Sequence, residues 1–307
     1  MTLVLSHEAG LGHVTPEGHP EQVARLEHVL HALRQADVQV ETAPEGARAD
    51  VLLCHPEAYV AYLEGAQPAT GQKALDADTW MSPGSLAAAW RGVGAVREAV
   101  DRVLAGEVKN AFCAIRPPGH HAESETPMGF CLFGNVAIGA KHALERHGLS
   151  RVAVVDFDVH HGNGTQALLW DEARALFVSS QQMPLWPGSG DPSERGAHGN
   201  VLNIPLAPGS DGYEMRDAYT HEVLPRLRDF APELILISAG FDAHRDDPLA
   251  NLNWSTEDFV WLTQEICQVA QDCCEGRVVS VLEGGYDLAA LAEAVTAHVK
   301  TLQEAAA

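Results

Sequence analysis

Short runs of apolar, β-branched residues recur along the chain, and each leads through a Gly- or Pro-containing loop into a segment with helical periodicity. Continuous apolar runs are expected of parallel strands that are covered on both faces. The clearest predicted strands are AFCAI (111–115), RVAVVDF (151–157), ARALFVSS (173–180), ELILISA (233–239) and VVSVLEG (278–284). This alternation predicts a single α/β domain over residues 1–307, built on a parallel sheet.

Helix-patterned segments separate these strands and cover 85–106, 136–148, 215–230 and 256–273. The first 80 residues are less regular, and we expect an edge strand, a helix near 20–36 and loops there. The pattern shows neither a repeat of fixed period nor a low-complexity segment. A linker between two domains is therefore not predicted.

The bulk composition is that of an ordinary globular protein, with 46% hydrophobic and 20% charged residues. No apolar stretch reaches the roughly 18 residues that a membrane helix needs. The N-terminus, MTLVLSHEAGLGH, lacks the basic region and cleavage pattern of a signal peptide, so we predict a cytoplasmic protein with no membrane partner. Six cysteines without a CxxC pair are predicted to be free thiols.

The charge balance bears on partners, because 42 acidic residues against 20 basic ones give a net charge of −22. Such a surface repels phosphate backbones, and we predict no direct nucleic-acid binding. It would weakly concentrate cationic ligands, although solubility explains the charge equally well. The composition leaves a homo-oligomer open.

Polar residues follow four of the predicted strands. AFCAI runs into RPPGHHAE, VAVVDF into DVHHGNG, LILISA into GFDAH, and VVSVL into EGGYD. Sites in parallel sheets form outside the carboxyl ends of the strands. Four such loops together predict a shared pocket.

The segment DFDVHHGNG (156–164) suggests a metal site. Side chains alternate along an extended chain, so Asp156, Asp158 and His160 share one face. Asp158 and His160 can converge on one ion, and Asp242 in GFDAH adds a second carboxylate from another strand end. Buried carboxylates without a partner are costly, which favours a nearby cation. One imidazole and two carboxylates leave positions open on Zn²⁺, as in catalytic sites.

Two further groups suggest acid–base and electrostatic chemistry. The adjacent His120 and His121 suit general acid and base work, because imidazole titrates near neutrality. Tyr286 follows two glycines in EGGYD, and its phenol could donate a hydrogen bond to a developing oxyanion.

These stretches together resemble the zinc-dependent superfamily of histone deacetylases and acetylpolyamine amidohydrolases. RPPGHHA, GFCLFGN, DFDVHHGNGTQ, PGSG, SAGFDAHRDDPL and LEGGYDL occur in that family's order, and EGHPEQVARLEHV and DTWMSPGS match its N-terminal part. The resemblance covers essentially the whole chain. It implies the arginase/deacetylase fold, with an eight-stranded parallel sheet flanked by helices on both faces.

Carried over to this chain, the resemblance implies one Zn²⁺ held by Asp158, His160 and Asp242. It makes His121 the base that activates water together with zinc, and Tyr286 the residue that polarises the acyl oxygen. His120 would be oriented by Asp156.

The partner of His121 differs between the family's classes. Class I members have an Asp there, whereas this chain has Asn163, as in class II. A neutral partner raises the pKa of an imidazole less than a carboxylate does. We therefore predict that His121 is less easily protonated than in a relative with Asp.

The family also binds a monovalent cation beside the zinc. The resemblance implies one structural K⁺, and it leaves a second open near residues 169–175. The residues implied around the first K⁺ are Asp156, Asp158, His160, Ser179 and Ser180.

The substrate region is also implied by resemblance. Phe130 and Trp186 would form aromatic walls around an acyl-bearing alkyl chain, next to Gly129 and Asp78. Polyamine-specific relatives have an acidic residue seven positions after the third zinc ligand, where this chain has Leu249. We therefore favour an acetyl-lysine-like or broad acyl-amide substrate and keep acetylpolyamine as the alternative.

Two other classes stay open at this stage. An arginase-like dimanganese ureohydrolase would need more carboxylate and histidine ligands than the sequence offers. An inactive binding module that keeps the metal as structure would need neither His121 nor Tyr286, and the chain has both.

Overall fold

A parallel sheet of eight strands lies at the centre of the computed structural model, which describes residues 1–307. Its strand order is β2-β1-β5-β10-β9-β6-β7-β8, and β3 and β4 form a separate antiparallel hairpin. The strands are β1 (Thr2–Ser6), β2 (Glu41–Thr42), β3 (Lys73–Ala74), β4 (Trp80–Met81), β5 (Asn110–Cys113), β6 (Val152–Asp156), β7 (Ala175–Gln182), β8 (Val201–Leu206), β9 (Leu234–Ala239) and β10 (Val278–Leu282).

Helices cover both faces of this sheet. They are α1 (Val23–Gln35), α2 (Arg48–Val51), α3 (Glu57–Ala66), α4 (Ser85–Leu104), α5 (Asn135–Arg146), α6 (Asn163–Leu169), α7 (Gly212–Ala218), α8 (Leu224–Phe230), α9 (Thr256–Cys274) and α10 (Leu288–Ala305). A 3₁₀ turn covers Glu8–Gly12, and a π-helical turn at Tyr219–Val223 joins α7 to α8.

Two hydrophobic cores explain why the strands read as continuous apolar runs. Alternate side chains of β6 enter different cores: Val152 and Val154 pack with α4 and α5, while Ala153 and Val155 pack with α9 and α10. Both faces of a central parallel strand are thus buried, and each must be apolar.

The predicted fold class is confirmed, and the five predicted strands correspond to β5, β6, β7, β9 and β10. The expected helix near 20–36 is α1. In the N-terminal part, β2 is the edge strand and β1 lies inside the sheet, between β2 and β5. The pattern did not predict β8, because this strand forms the sheet's other edge and its short run VLNIPL contains Asn and Pro among the apolar residues.

All six cysteines are free thiols, as predicted. None of the helices combines the length and apolar character that crossing a membrane requires. The cytoplasmic location and the single domain stay predictions from the sequence.

Candidate functional site

The candidate site lies where four neighbouring strands of the sheet end. In the strand order, β5, β10, β9 and β6 are consecutive, and all run parallel. Their carboxyl ends therefore bring the loops with His121, Tyr286, Asp242 and Asp158 to one edge of the sheet. This sheet order brings together the four loops that the sequence predicted to share a pocket.

Asp158, His160 and Asp242 converge to form a buried set that could hold a metal ion. His160 Nδ1 lies 3.1 Å from Asp158 Oδ1 and 3.1 Å from Asp242 Oδ2. Ligand atoms about 2.0–2.1 Å from a tetrahedral zinc ion would lie about 3.3 Å from one another. The donor atoms and their spacing therefore fit Zn²⁺.

Backbone groups hold the two carboxylates in place. The Gly284 N–H donates to Asp158 Oδ2 at 2.9 Å, and the Val159 N–H donates to Asp242 Oδ1 at 2.9 Å. A Cβ at Gly284 would lie 2.2 Å from Asp242 Oδ2, so only glycine lets the chain come this close. Each carboxylate keeps an oxygen directed at His160.

The electrostatics of this set also suit a cation. Burial, together with the charge of Asp158, raises the pKa of Asp242. Burial opposes a charge on His160, but hydrogen bonds to Asp158 and Asp242 outweigh it and raise the pKa of His160 to about 10. The carboxylates thus hold a positive charge between them, which a divalent cation would supply in place of the proton.

A second group of potential ligands, Asp101, His142 and His147, lies between α4 and α5. His147 is exposed, and the Arg97 guanidinium lies 3.9 Å from the Asp101 carboxylate. The charge of Asp101 is therefore already balanced in part, unlike that of the buried set.

The two adjacent histidines have different partners. His120 Nδ1 lies 3.0 Å from Asp156 Oδ2, and His121 Nδ1 lies 2.7 Å from Asn163 Oδ1. Burial opposes a charge on His120, but the carboxylates of Asp158 and Asp156 raise its pKa well above the ordinary value. Burial, with the charges of His120 and His160, holds the pKa of His121 well below it. His121 is thus the neutral imidazole of the pair.

The Tyr286 loop is held from two sides. Its backbone N–H donates to Asp247 Oδ2 at 2.6 Å, and Arg25 donates to the carbonyls of Glu283 and Gly285, both at 2.6 Å. The Arg25 guanidinium carbon lies 4.9 Å from the centre of the Tyr286 ring. Backbone and ring of Tyr286 are therefore both fixed by charged groups.

A buried ion network fixes Arg25 in turn. Glu21 accepts from Arg25 at 3.0 Å and from two nitrogens of Arg116, and His13 Nε2 lies 3.3 Å away. Burial opposes a charge on Glu21, but Arg116 and His13 hold its pKa well below the ordinary value. The network ties α1 and the loop after β5 to the loop that carries Tyr286.

The two aromatic residues that the resemblance assigned to the substrate region lie next to His121 and Tyr286. The Trp186 ring centre lies 4.7 Å from that of His121, and Phe130 lies 5.9 Å from Tyr286. A Cβ at Gly129 would lie 2.3 Å from the His121 ring and 2.7 Å from Trp186. Glycine is therefore needed at this point.

Phe130 has a φ of 69°, a left-handed conformation that is rare for aromatic residues and clusters at functional sites. Its N–H donates to Thr79 Oγ1 at 3.1 Å, and that hydroxyl donates to Asp78 Oδ1 at 3.2 Å. Through Thr79, the structure thus places Asp78 next to Phe130, at the rim of the site formed by Phe130 and Trp186.

Two of the residues implied around K⁺, Asp156 and Ser179, lie side by side in the sheet. In the sheet register Asp156 lies opposite both Ser179 and Ser238, and the hydroxyls of these serines are buried without a hydrogen-bond partner. The Ser180 hydroxyl is paired with that of Tyr219 at 2.9 Å. Oxygen atoms left free next to a buried carboxylate suit a monovalent cation.

Leu249 is half-buried, and its N–H donates to Asp247 Oδ1 at 3.0 Å. Burial and the charge of Asp242 raise the pKa of Asp247 to about 7, and the carboxylate is occupied by backbone N–H groups. Asp247 therefore supports the Tyr286 loop and does not offer an exposed charge to a cationic substrate.

Four residues that the sequence analysis did not assign to the site are part of it. Arg25 and Asp247 hold the Tyr286 loop, as described above. Glu283 Oε2 accepts from the N–H groups of Gly119 and His120, and Glu123 contacts Asn163. Charged residues within the motifs EGHPEQVARLEHV, HHAE, DAHRDDPL and LEGGYD were the only available signal.

The chain is similar over most of its length to known proteins. The histone deacetylase domain profile matches residues 19–302. The histone deacetylase-like amidohydrolase of Pseudomonas aeruginosa is 39% identical, over 87% of this chain and 71% of that protein. A probable deacetylase of Archaeoglobus fulgidus is 38% identical, over 94% and 82%. The crystal structure of the HDA15 HD domain superposes with a TM-score of 0.93 at 32% identity and covers 99% of this chain and 88% of that one.

Proposed function

Because the chain belongs to the histone deacetylase family, we propose that it is a zinc-dependent amidohydrolase that removes an acetyl or short acyl group from a lysine-like amine. One observation carries the proposal: a buried Asp158–His160–Asp242 set lies beside a neutral His121 and a fixed Tyr286. The set supports one ion, which disfavours a dimanganese ureohydrolase.

Each residue has a distinct part in this reaction. A zinc ion held by Asp158, His160 and Asp242 would act as a Lewis acid and lower the pKa of water. His121 Nε2 takes the proton of the attacking water and later gives it to the leaving amine. Tyr286 donates a hydrogen bond to the acyl oxygen as negative charge develops there.

The environment of His120 and the serines completes the site. Asp156 orients His120, whose positive charge offsets the two carboxylate ligands. We propose one structural K⁺ beside Asp156, with Ser179 and Ser180 among its neighbours; a second K⁺ near residues 169–175 stays a prediction. The negative charges of Asp156, Asp158 and Asp242 support a Zn²⁺ and a K⁺ at this site.

A lysine-like substrate fits the rim better than a polyamine does. Phe130 and Trp186 form aromatic walls for an alkyl chain. Leu249 provides no carboxylate, and Asp247 is turned inward. We therefore expect kcat/KM for an acetyl-lysine peptide to exceed that for acetylputrescine, measured by amine release from the zinc-loaded enzyme. A preference for acetylputrescine would overturn the substrate assignment, and no hydrolysis of either would overturn the proposed function.

The contact between Asn163 and His121 leads to a prediction for the pH dependence of kcat. The base must be neutral to accept a proton, so the rate falls as the pH drops through the pKa of His121. Asn163→Asp places a carboxylate beside Nδ1 and raises that pKa, and we expect the acidic limb of the kcat profile to move to higher pH.

Asn251→Asp adds the same charge at an exposed site and serves as the control. An acidic limb that stays in place or moves to lower pH in Asn163→Asp would contradict the assignment of His121 as the base.

A further inference from the structure

Glu123 directly follows the histidine motif in RPPGHHAE and lies against Asn163. Asn163 Nδ2 donates to Glu123 Oε1 at 2.9 Å and to Met128 Sδ at 3.3 Å. The other end of the same amide, Oδ1, lies 2.7 Å from His121 Nδ1. A continuous chain of hydrogen bonds therefore runs from Glu123 through Asn163 to His121.

The chemistry of the acceptors fixes the direction of this chain. An ionised carboxylate and a thioether can only accept hydrogen bonds, so the amide group that faces Glu123 and Met128 must be the NH₂ group. Oδ1 then faces His121, and His121 Nδ1 must carry the proton that it donates. The lone pair is left on Nε2, the nitrogen that a general base needs.

An asparagine next to His121 needs a further group that fixes the orientation of its amide, whereas an aspartate does not. Either oxygen of an aspartate would accept from Nδ1. An asparagine turned by 180° would instead direct its NH₂ group at Nδ1, and the proton of the neutral ring would move to Nε2. Asn163 is only 8% exposed, so water competes poorly for its amide.

We propose that Glu123 is a positioning residue that fixes the amide of Asn163 and thereby the tautomer of His121. The inference rests on the proposed function, because His121 needs a free Nε2 only as a base. The sulfur of Met128 is a weak acceptor, so Glu123 is the dominant partner.

The surroundings of Glu123 allow this inference to be tested by substitution. Its side chain is only partly buried, and together with Met128, Asn163 and Gln166 it lines an open cavity of about 590 Å³. Side chains of similar length at this position can be accommodated without a change in the core.

Three substitutions of Glu123 test whether its side chain must accept a hydrogen bond from Asn163. Glu123→Gln keeps an acceptor oxygen, and we expect kcat within about 2-fold of wild type. Glu123→Ala removes the acceptor and should lower kcat about 10-fold, the scale of one hydrogen bond to a charged group. Glu123→Lys offers only donors, should turn the amide, and should lower kcat about 100-fold, the lower end of what a general base contributes.

The matched control is Glu125→Lys, an exposed charge reversal two positions away, which should leave kcat unchanged. Side-chain ¹⁵N NMR of the zinc-loaded protein without substrate reports the tautomer of His121 directly. Wild type and Glu123→Gln should show a protonated Nδ1, and Glu123→Lys should show a protonated Nε2.

The two readouts distinguish this inference from the proposed function. Equal loss of kcat in Glu123→Gln and Glu123→Ala, or an unchanged tautomer in Glu123→Lys, overturns the role of Glu123. A tautomer that responds as expected in a protein that hydrolyses no acyl amide supports the positioning role and overturns the proposed function.

Discussion

Asp242→Asn is expected to lower zinc affinity by more than about 100-fold and to lower kcat/KM for an acetyl-lysine substrate at least as much. The substitution replaces one of the two carboxylates of the set by a neutral amide. Even changes to groups that only hold a metal ligand in place cost about 10–100-fold in metal affinity, so loss of a ligand charge should cost more. Asn keeps an oxygen for the Val159 N–H, so the fold should persist. Metal content by mass spectrometry and initial rates at limiting zinc measure the two effects.

Asp246→Asn is the matched control, because it removes an equivalent charge from an exposed position four residues away. One zinc per chain with wild-type rates in Asp242→Asn would show that the metal lies elsewhere. Two manganese ions per wild-type chain would favour the ureohydrolase reading.

Tyr286→Phe is expected to lower kcat by about 10²–10³-fold, the usual effect of losing one preorganised donor to an oxyanion. KM and zinc content should change little, since the hydroxyl is not part of the ligand set and its hydrogen bond strengthens as charge develops. Steady-state kinetics of the zinc-loaded variant separate kcat from KM.

Tyr62→Phe removes a hydroxyl from an exposed tyrosine and should behave as wild type. Retention of wild-type kcat in Tyr286→Phe would remove Tyr286 from the reaction. Inactivity of the zinc-loaded wild-type protein would instead favour the inactive binding module.

The size of the Tyr286 effect depends on groups that hold the residue in place. A donor stabilises a transition state strongly only when it is oriented before the reaction. Arg25 and Asp247 provide this orientation through the Glu283, Gly285 and Tyr286 backbone. In the proposed reaction, these buried side chains would act on Tyr286 through the loop.

Much of the site could be predicted from the sequence, because its signals are local. The alternation of an extended chain puts Asp158 and His160 on one face, and polar residues after apolar runs mark strand ends. The resemblance then implied the roles of His121, Asn163 and Tyr286, whose contacts the structure shows but whose roles await the experiments above.

Local pattern says little about residues that act through distant partners. Asp247 ends a run of three charged residues, RDD, of which Arg245 and Asp246 are exposed, and the run did not show that Asp247 turns inward to Tyr286. Arg25 has the appearance of an ordinary helical charge until the fold places α1 against α10 and Arg25 against the Gly285 carbonyl, 260 positions away in the sequence. Such contacts depend on sheet order.

By itself, the sequence determined the fold class and the main strands and proposed Asp158, His160 and Asp242 as a metal site, because periodicity and strand ends are properties of short segments. The tertiary structure decided that β5, β10, β9 and β6 are neighbours, how closely Asp242 approaches His160, and that Glu123 meets Asn163 across 40 positions. Those contacts arise only when the cores on both faces of the sheet close, since burial then leaves each polar group a single set of partners.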